Sequence, residues 1–503
     1  MLLSGVVAAM PANAGVRRVD IRTNDRFTGR GNGDELLLDI RVVADGRAVK
    51  RGERLRSMTL TTEGTTNQDD IARMRILASP TADGPFVELA SWVPRSETYV
   101  VRVDTPMADT LYMRVTADVA QSAAEGDIIA ARLVSIRSDK HQYAPQSPQA
   151  VREILLARKL LYAPGDYGSR NWRIPALCAL PDGSLLAVND KRKFNEGDLP
   201  QDIDIVARRS TDNGLTWSQP VTIAEGTGFK KGFGDPALAV TADGSEVVCV
   251  FVGGNGLWDS TPDDPQRSYV SRSADGGATW SEPDDITPLM WGAGADNAQC
   301  REYTHSFFGS GNGLTLKGGD HAGRILFAAA MGAGRKLNNH AVYSDDNGRT
   351  WHVSDMAFEN GDEAKIVELT DGRLLMSVRR SGQRGYALSS DGGHTWENQG
   401  LWPEMTTNAC NGDMIRYPSA DGTLLLHSIP NDMQRRNVSI FMSRDEGRTW
   451  SSPKVVCPYE SVYSSLAVLA DGTVGIFLEE NPTPAGCELW YMNFSAEWLA
   501  GDE

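Results

Sequence analysis

The sequence is poor in cysteine and histidine, the usual ligands of zinc, and it lacks a net positive charge. Its 503 residues include only six cysteines and seven histidines, and neither type forms the CxxC or HxxxH spacings typical of zinc sites. The formal net charge of −16 argues against a general affinity for nucleic acid or anionic membranes. We therefore expect no zinc site, cysteines that are buried thiols or an occasional disulfide, and local groups of arginines wherever an anion binds.

Long hydrophobic runs are also missing. No stretch after the N-terminal segment approaches the ~18 apolar residues that a membrane span needs. The segment from Met1 to Ala14 is apolar and ends in the small-x-small pattern Ala12-Asn13-Ala14, although no basic residues precede it. This pattern is typical of the end of a secretory signal peptide and predicts an exported protein, either periplasmic, cell-surface or secreted. The alternative is a disordered N terminus.

A short internal repeat dominates the second part of the chain. The pattern Ser-x-Asp-x-Gly-x-x-Trp occurs five times, starting at Ser210, Ser273, Ser344, Ser389 and Ser443. Serine and aspartate oxygens can bond to nearby amides, glycine can adopt positive φ, and tryptophan can pack between strands. Because the same carboxylate recurs in every unit, we predict a structural hairpin turn rather than a catalytic group.

A second repeat alternates with the first and consists of an Asp-Gly turn between two apolar runs. It occurs at Asp182-Gly183, Asp243-Gly244, Asp371-Gly372, Asp421-Gly422 and Asp471-Gly472, with a looser version between Asp320 and Gly323. Each of the six units then reads as a four-stranded antiparallel meander. This predicts an all-β fold with a six-bladed β-propeller over residues 152–503. The sixth unit ends early, so its outer strand is expected from residues 154–162.

The region before the repeats has a different pattern. Residues 15–148 alternate apolar and polar side chains in short runs such as ELLLDIRVV and TLYMRVTADV, which predicts a small β-sandwich. It could be a carbohydrate-binding module or an inert spacer. Residues 138–150 are expected to form a linker.

The five boxes, together with the motif Arg173-Ile174-Pro175 before them, resemble the bacterial sialidase (neuraminidase) family with Asp-box, or BNR, repeats. The resemblance extends from about Arg152 to the C terminus. It implies an exo-α-sialidase that hydrolyses terminal α-linked sialic acid from glycoproteins, gangliosides and oligosaccharides. The family's catalytic residues are matched by Tyr463, Glu363 and Asp198. Its substrate-binding residues are matched by Arg173, Arg379, Arg435, Arg192 and Glu479.

The resemblance also implies roles for these residues. Tyr463 would be the nucleophile, Glu363 its base and Asp198 the general acid/base. Arginines 173, 379 and 435 would clamp the substrate carboxylate, and Glu479 would buttress the first of them. Arg192, at the end of a second strand, would also approach the carboxylate. Neighbours leave some choices open, because only one residue of an adjacent pair in a strand faces inward. The competing residues are Arg380, Arg436, Asp202 and Asp204.

Strand order offers a separate argument for one site. In an antiparallel meander the start of strand one, the end of strand two and the start of strand three share one end of the sheet. All eight matched residues occupy such positions, whereas the boxes and Asp-Gly turns occupy the opposite end. We therefore expect the eight residues to lie on one rim of the propeller.

Competing functions remain at the level of sequence. A propeller lectin would bind sialic acid through the arginines without cleaving it, but would need none of Tyr463, Glu363 and Asp198. A trans-sialidase or an intramolecular lyase would differ in how water is excluded. A hydrolase of another class would share only the boxes and would leave the arginines unexplained. None of these readings requires a metal or organic cofactor, although a structural cation is compatible with 66 acidic residues.

Overall fold

The computed structural model describes residues 5–9, 15–419, 422, 424–483 and 486–501. Strands dominate, and the α-helices are the short segments α1 (Gly46–Lys50), α2 (Thr287–Met290) and α3 (Ala496–Ala500). The prediction of an all-β fold is confirmed. The chain divides into two compact units, Met1–Arg158 and Lys159–Glu503.

The first unit consists of two sheets. Its strands are β1 (Gly5–Ala9), β2 (Val16–Thr23), β3 (Thr28–Gly29), β4 (Glu35–Ala44), β5 (Arg54–Thr61), β6 (Ile71–Ser79), β7 (Val87–Trp92), β8 (Thr98–Pro106), β9 (Thr110–Val119), β10 (Ile128–Ser138), β11 (Gln142–Tyr143) and β12 (Ala150–Leu155). One sheet has the order β1-β2-β4-β9-β6-β7 and the other β3-β12-β10-β5-β8, with β11 beside β10. Alternate apolar residues from both sheets, such as Ile40 and Met58, meet in one buried core.

The apolar N-terminal segment takes part in the first sheet. Its residues 5–9 form β1, which pairs antiparallel with β2. The small-x-small pattern at Ala12 to Ala14 lies outside the described residues.

The second unit carries the repeats. Its strands are β13 (Ala157–Tyr162), β14 (Asn171–Ala179), β15 (Leu185–Arg192), β16 (Ile203–Ser210), β17 (Val221–Ala224), β18 (Phe233–Val240), β19 (Val247–Gly254), β20 (Gln266–Ser273), β21 (Asp284–Asp285), β22 (His305–Phe308), β23 (Gly311–Asn312), β24 (Leu314–Thr315), β25 (Ile325–Gly332), β26 (Asn338–Ser344), β27 (His352–Val353), β28 (Phe358–Glu359), β29 (Ala364–Glu368), β30 (Leu374–Val378), β31 (Ser381–Ser389), β32 (Glu397–Asn408), β33 (Asp413–Arg416), β34 (Leu425–Pro430), β35 (Arg436–Ser443), β36 (Lys454–Val468), β37 (Val474–Thr483) and β38 (Gly486–Phe494).

These strands form antiparallel meanders in chain order. The first meander is β14-β15-β16-β17, the second is built on β18-β19-β20-β21, the third on β22-β25-β26-β27 and the fourth is β29-β30-β31-β32. The last two share one sheet of order β13-β38-β37-β36-β35-β34-β33. Strand β13 therefore completes the last meander, as the sequence predicted. They share a sheet because β36 runs unbroken from one meander into the next, whereas we expected a new strand to begin at Tyr463.

Successive meanders pack face to face through their second strands. In β19, Cys249 and Phe251 contact the cluster that contains Leu186 of β15. The alternate residues of the same strand, Val248 and Val250, join the cluster of β25. Both faces of these strands are covered, which explains why they are apolar throughout instead of alternating.

The boxes are hairpin turns, as predicted. In the second box the Ser273 hydroxyl donates to Asp275 Oδ1 at 2.8 Å, and the Gly277 amide donates to Ser273 Oγ at 2.8 Å. The Thr279 hydroxyl donates to Asp275 Oδ2 at 2.6 Å. The same three bonds recur in the other four boxes. The Asp421 turn residue lies outside the described residues.

The box carboxylates should make the fold sensitive to acid. Hydrogen bonds from Thr279 lower the pKa of Asp275 to about 2, and bonds from Thr350 outweigh burial and lower the pKa of Asp346 to about 2. Because the folded pKa lies below the ordinary value of 3.8, this stabilisation is complete above pH ~4 and is lost as the pH falls towards ~2. We expect the urea midpoint to fall steeply over that range. An Asp275→Asn variant should lose roughly 1–2 kcal/mol of unfolding free energy at pH 7, and its urea midpoint should fall less as the pH drops from ~4 to ~2. A midpoint that falls as steeply as in the wild type would contradict this account.

Three further features concern the residues that the structure describes. None of their helices is long and apolar enough to cross a membrane. No group of three or more His, Cys, Asp or Glu among them could hold a metal ion. All six cysteines are buried.

Candidate active site

The residues predicted for the site lie where first strands begin and second strands end. Arg173 is near the start of β14, Glu363 directly precedes β29, and Arg379 directly follows β30. Antiparallel pairing aligns these ends, because Ala364 faces Val378 across β29 and β30. The Asp-Gly turns close the other ends of the same strands.

Tyr463 and Glu363 form the buried centre of the site. The Tyr463 hydroxyl donates to Glu363 Oε2 at 2.7 Å and accepts from Arg379 Nη1 at 2.7 Å. Arg379 also pairs with the Glu363 carboxylate, and its Nε lies 3.3 Å from Asp362 Oδ2. Burial, reinforced by the Glu363 charge, raises the pKa of Tyr463 well above its ordinary value. The phenol is therefore neutral, with its proton directed at a carboxylate.

Three guanidinium groups surround this phenol. Besides Arg379 at the hydroxyl, the Arg173 Cζ atom lies 5.4 Å from the centre of the Tyr463 ring, and the Arg435 Cζ atom lies 5.9 Å from it. The three arginines come from different meanders. Their positive charges converge around one phenol, and such a group can bind a planar carboxylate through paired, charge-assisted bonds.

Glu479 fastens Arg173 to the strand of the tyrosine. It is fully buried, and its Oε1 accepts from Arg173 Nε at 2.7 Å and from the Ile174 amide at 2.6 Å. Its Oε2 accepts from the Tyr463 amide at 3.2 Å. Although burial alone would lower it, the Glu479 charge raises the pKa of Arg173 well above its ordinary value. The carboxylate thus keeps the guanidinium charged and fixed.

Asp198 and Arg192 form a second group at the same end of the first meander. Arg192 Nη2 lies 2.7 Å from Asp198 Oδ1. The Arg192 side chain is 2% exposed, whereas that of Asp198 is 80% exposed. Desolvation by neighbouring protein atoms would raise the pKa of Asp198, but the charges of Arg192 and Arg173 outweigh it, so the pKa is lower than the ordinary value. The ion pair thus joins an exposed carboxylate to a buried guanidinium.

The four residues that compete with the site residues in the sequence make their contacts with other partners. Lys193 Nζ lies 2.9 Å from Asp202 Oδ1 and 2.8 Å from Asp204 Oδ1, so these two aspartates bind a lysine rather than Arg192. Arg436 Nε pairs with Asp432 Oδ2 at 2.8 Å. The Arg380 guanidinium lies over the Phe358 ring, 5.6 Å from its centre. These contacts separate Asp198, Arg435 and Arg379 from their neighbours.

Sequence reasoning missed two aspartates of the site, Asp190 and Asp235. Asp190 Oδ2 accepts from Arg192 Nε at 3.2 Å and from Nη2 at 3.0 Å, and its Oδ1 accepts from the Asp235 amide at 3.1 Å. Burial raises the pKa of Asp190 to about 7 against the opposing charge of Arg192. Burial and the Asp190 charge raise the pKa of Asp235 well above its ordinary value. Together they form an acidic pair beside Arg192, in which Asp190 is buried and Asp235 is partly buried.

A signal for Asp235 was present in the sequence. The motif Gly234-Asp235-Pro236 parallels Arg173-Ile174-Pro175, and both interrupt the strand pairing with a bulge. The residue before each proline has positive φ, 62° at Ile174 and 58° at Asp235. Both amides donate to a carboxylate of another meander: Ile174 donates to Glu479 of the last meander, and Asp235 donates to Asp190 of the first. The two bulges therefore share the same backbone conformation and the same amide-to-carboxylate hydrogen bond.

Comparisons with known proteins agree with this arrangement. Residues 183–476 match the family model described as a BNR repeat-like domain. The chain is 36% identical over 373 residues to a sialidase of Micromonospora viridifaciens, covering 69% of this chain and 55% of that protein. The Hadza microbial sialidase Hz136 has a similar structure, with a TM-score of 0.74 at 24% identity, covering 95% of this chain and 99% of that one. The intramolecular trans-sialidase of Ruminococcus gnavus, solved with oseltamivir carboxylate, matches with a TM-score of 0.60 at 20% identity, covering 69% of this chain and 98% of the other.

Proposed function

Because the chain belongs to the bacterial sialidase family with BNR repeats, we propose that it is a retaining exo-α-sialidase. Its substrates are terminal α-linked sialic acids of glycoproteins, gangliosides and oligosaccharides. The observation that carries the proposal is the Tyr463 hydroxyl, which donates to Glu363 while three guanidiniums surround the phenol.

The arginine group suits the distinguishing feature of the substrate. Sialic acid carries a carboxylate on its anomeric carbon, and Arg173, Arg379 and Arg435 clamp it. A carboxylate nucleophile would meet a like charge there, so a neutral phenol is the better nucleophile. The raised pKa of Tyr463 keeps the phenol neutral until attack, when its proton passes to Glu363.

The reaction then takes two displacements. The Tyr463 oxygen bonds to the anomeric carbon and the glycosidic bond breaks, while Asp198 gives a proton to the leaving oxygen. In the second step Asp198 takes a proton from water, water attacks the same carbon, and the bond to Tyr463 breaks as its oxygen recovers the proton from Glu363. Two inversions give net retention.

Substrate binding prepares Asp198 for its first step. In the free protein the charges of Arg192 and Arg173 hold the pKa of Asp198 low, which favours the anion. A bound carboxylate offsets the Arg173 charge, so the affinity of Asp198 for a proton rises as the substrate enters.

The decisive experiment uses NMR to identify the products that the purified protein forms from 3′-sialyllactose. We expect the α-anomer of free sialic acid to appear first and then to mutarotate. A first-formed β-anomer would exclude retention, an anhydro sugar would indicate an intramolecular lyase, and sialyl transfer to added lactose would indicate a trans-sialidase. Saturable binding without turnover would indicate a lectin.

An Asp198→Asn variant should reveal the acid through its dependence on the leaving group. We expect kcat/KM for sialyllactose to fall by about 10²–10⁴. The loss for 4-methylumbelliferyl sialoside should be at least tenfold smaller, because a phenolate leaves without a proton. Asp202→Asn is the matched control and should keep near-wild-type activity on both substrates. Equal losses of the Asp198 variant on both would exclude Asp198 as the acid.

We also propose that the six meanders close into a six-bladed propeller. Two contacts between the first box and the last meander support closure. The Asn213 side-chain amide donates to Asp471 at 2.7 Å, and the Trp217 ring packs edge-on against Tyr491 of β38 with centroids 5.2 Å apart. The meanders at the two ends of the repeat region thus touch directly.

The remaining proposals concern the first unit and the compartment. Its two sheets and shared core support a β-sandwich, which is either a glycan-binding module or a spacer. A glycan array with residues 15–158 appended to an inert carrier would distinguish these. Export rests on the apolar segment from Met1 to Ala14 and is tested by fractionating cells that produce the full chain.

A further inference from the structure

A buried serine contacts the proposed base from the side opposite the nucleophile. Ser310 lies between β22 and β23 and is 1% exposed. Its hydroxyl donates to Glu363 Oε1 at 3.2 Å, whereas Glu363 Oε2 receives the hydroxyl of Tyr463. Each carboxylate oxygen therefore has its own hydroxyl donor, and the carboxylate is held between two of them.

A buried lysine supports this serine. Lys365, 1% exposed, donates from Nζ to Ser310 O at 2.6 Å, Gly309 O at 3.2 Å and Asn411 Oδ1 at 3.2 Å. The Asn411 side-chain amide in turn donates from Nδ2 to Ser310 O at 3.0 Å and to Ser310 Oγ at 3.4 Å. All three bonds of the ammonium go to neutral oxygens, so its charge is not cancelled by a bonded carboxylate.

The backbone around Ser310 is shaped for this placement. A Cβ atom on Gly309 would lie 2.2 Å from Ala364 O, a backbone contact that cannot relax without moving β29. Gly311 has a φ of +116°, and a Cβ atom there would lie 3.2 Å from Lys365 Cε. The sequence Gly-Ser-Gly thus lets the chain approach β29 closely enough for the serine hydroxyl to reach Glu363.

We propose that Ser310, supported by Lys365 and Asn411, is a positioning residue that keeps the Glu363 carboxylate aimed at the Tyr463 hydroxyl. This inference rests on the proposed function and adds residues that act through the base without touching the substrate. A hydrogen bond to a carboxylate favours the charged form, and the nearby ammonium acts in the same direction. The nucleophile needs an ionised base at the moment of attack.

Several other charged or titratable groups interact electrostatically with Glu363. They are Asp235, Arg379, Arg384, Cys410, Tyr463, Asp362 and Lys365. Removing the Ser310 hydroxyl changes none of these charges. A change in the protonation of the base can therefore be assigned to the lost bond.

The test is a Ser310→Ala variant assayed on 4-methylumbelliferyl sialoside from pH 4 to 8. We expect kcat to fall about tenfold, with KM changed less than twofold. The acid limb of the kcat/KM profile, which is the fall in activity at low pH, should move to higher pH, because the carboxylate has lost a donor. Ser306→Ala is the matched control: Ser306 is equally buried and bonds Ser268 Oγ at 2.9 Å instead of the site. It should leave kcat and the acid limb unchanged.

The outcomes separate this inference from the proposed function. A Ser310→Ala variant with wild-type kcat and an unmoved acid limb would overturn the positioning role, and so would loss of cooperative thermal unfolding, which would make Ser310 structural. If the wild type itself released no sialic acid, the proposed function would fail first. A Lys365→Met variant that folds should shift the acid limb in the same direction as Ser310→Ala.

Discussion

A Tyr463→Phe variant is expected to lose about a thousandfold or more in kcat while keeping the wild-type fold. The change removes only the hydroxyl, which is the proposed nucleophile and which links Glu363 to Arg379. The ring keeps its position, because it packs in a small buried cluster with Ile174 and Cys410. Sialoside turnover and thermal unfolding should be measured on the same preparation.

Tyr162→Phe is the matched control. This tyrosine is fully buried, its ring stacks on Trp172 at a centroid distance of 4.1 Å, and its hydroxyl has no hydrogen-bond partner in the described part of the chain. Turnover by this variant should equal that of the wild type. A Tyr463→Phe variant that retained more than about a tenth of wild-type kcat would exclude the phenol as the nucleophile and would favour direct attack by water.

The strand repeat made much of the site predictable from counting. Glu363 and Tyr463 both lie eight residues before the aspartate of their Asp-Gly turn, and Arg379 and Glu479 lie eight residues after it. Equal distances from equivalent turns place side chains at equivalent heights on successive meanders. The hairpin chemistry of the boxes was equally local, because each box satisfies its own hydrogen bonds. The turn prediction needed only spacing and residue type, whereas the individual site residues were predicted from the family resemblance and their shared rim from strand order.

The same count identifies the residues that sequence reasoning overlooked. Asp235 lies eight residues before its turn aspartate and Asp190 eight residues after its own, so each repeats a site position in another meander. Their chemistry was still not readable from spacing. The raised pKa of Asp190 depends on burial and on Arg192, and both are products of packing between meanders.

Other parts of the site depend on contacts between segments that are distant in the sequence. Ser310 reaches Glu363 from a segment that departs from the repeat. The unbroken β36 also departs from it, with a bulge between Ser461 and Ser464 that includes Tyr463. Both features arise where the repeat is interrupted, so a search for the repeat does not predict them.

Glu479→Gln is expected to lower the free energy of unfolding by about 3 kcal/mol and to raise KM for sialoside about tenfold. The substitution preserves size but removes the negative charge that Arg173 Nε contacts at 2.7 Å, and it leaves a largely buried guanidinium without its counterion. The amide group of glutamine must also face either Arg173 or a backbone amide that donates to Glu479, namely Ile174 or Tyr463. Two donors then oppose each other in a buried place.

An exposed ion pair supplies the control for this change. Glu246 pairs with Arg349 Nη1 at 2.9 Å, and the Arg349 side chain is 54% exposed. Water screens that pair, so Glu246→Gln should cost less than about 1 kcal/mol and leave KM unchanged. Urea unfolding of both variants at pH 7 compares them directly. Equal midpoints of the two variants would mean that Arg173 does not need Glu479 as its counterion. The orientation of Arg173 would then have to come from contacts other than its ion pair with Glu479.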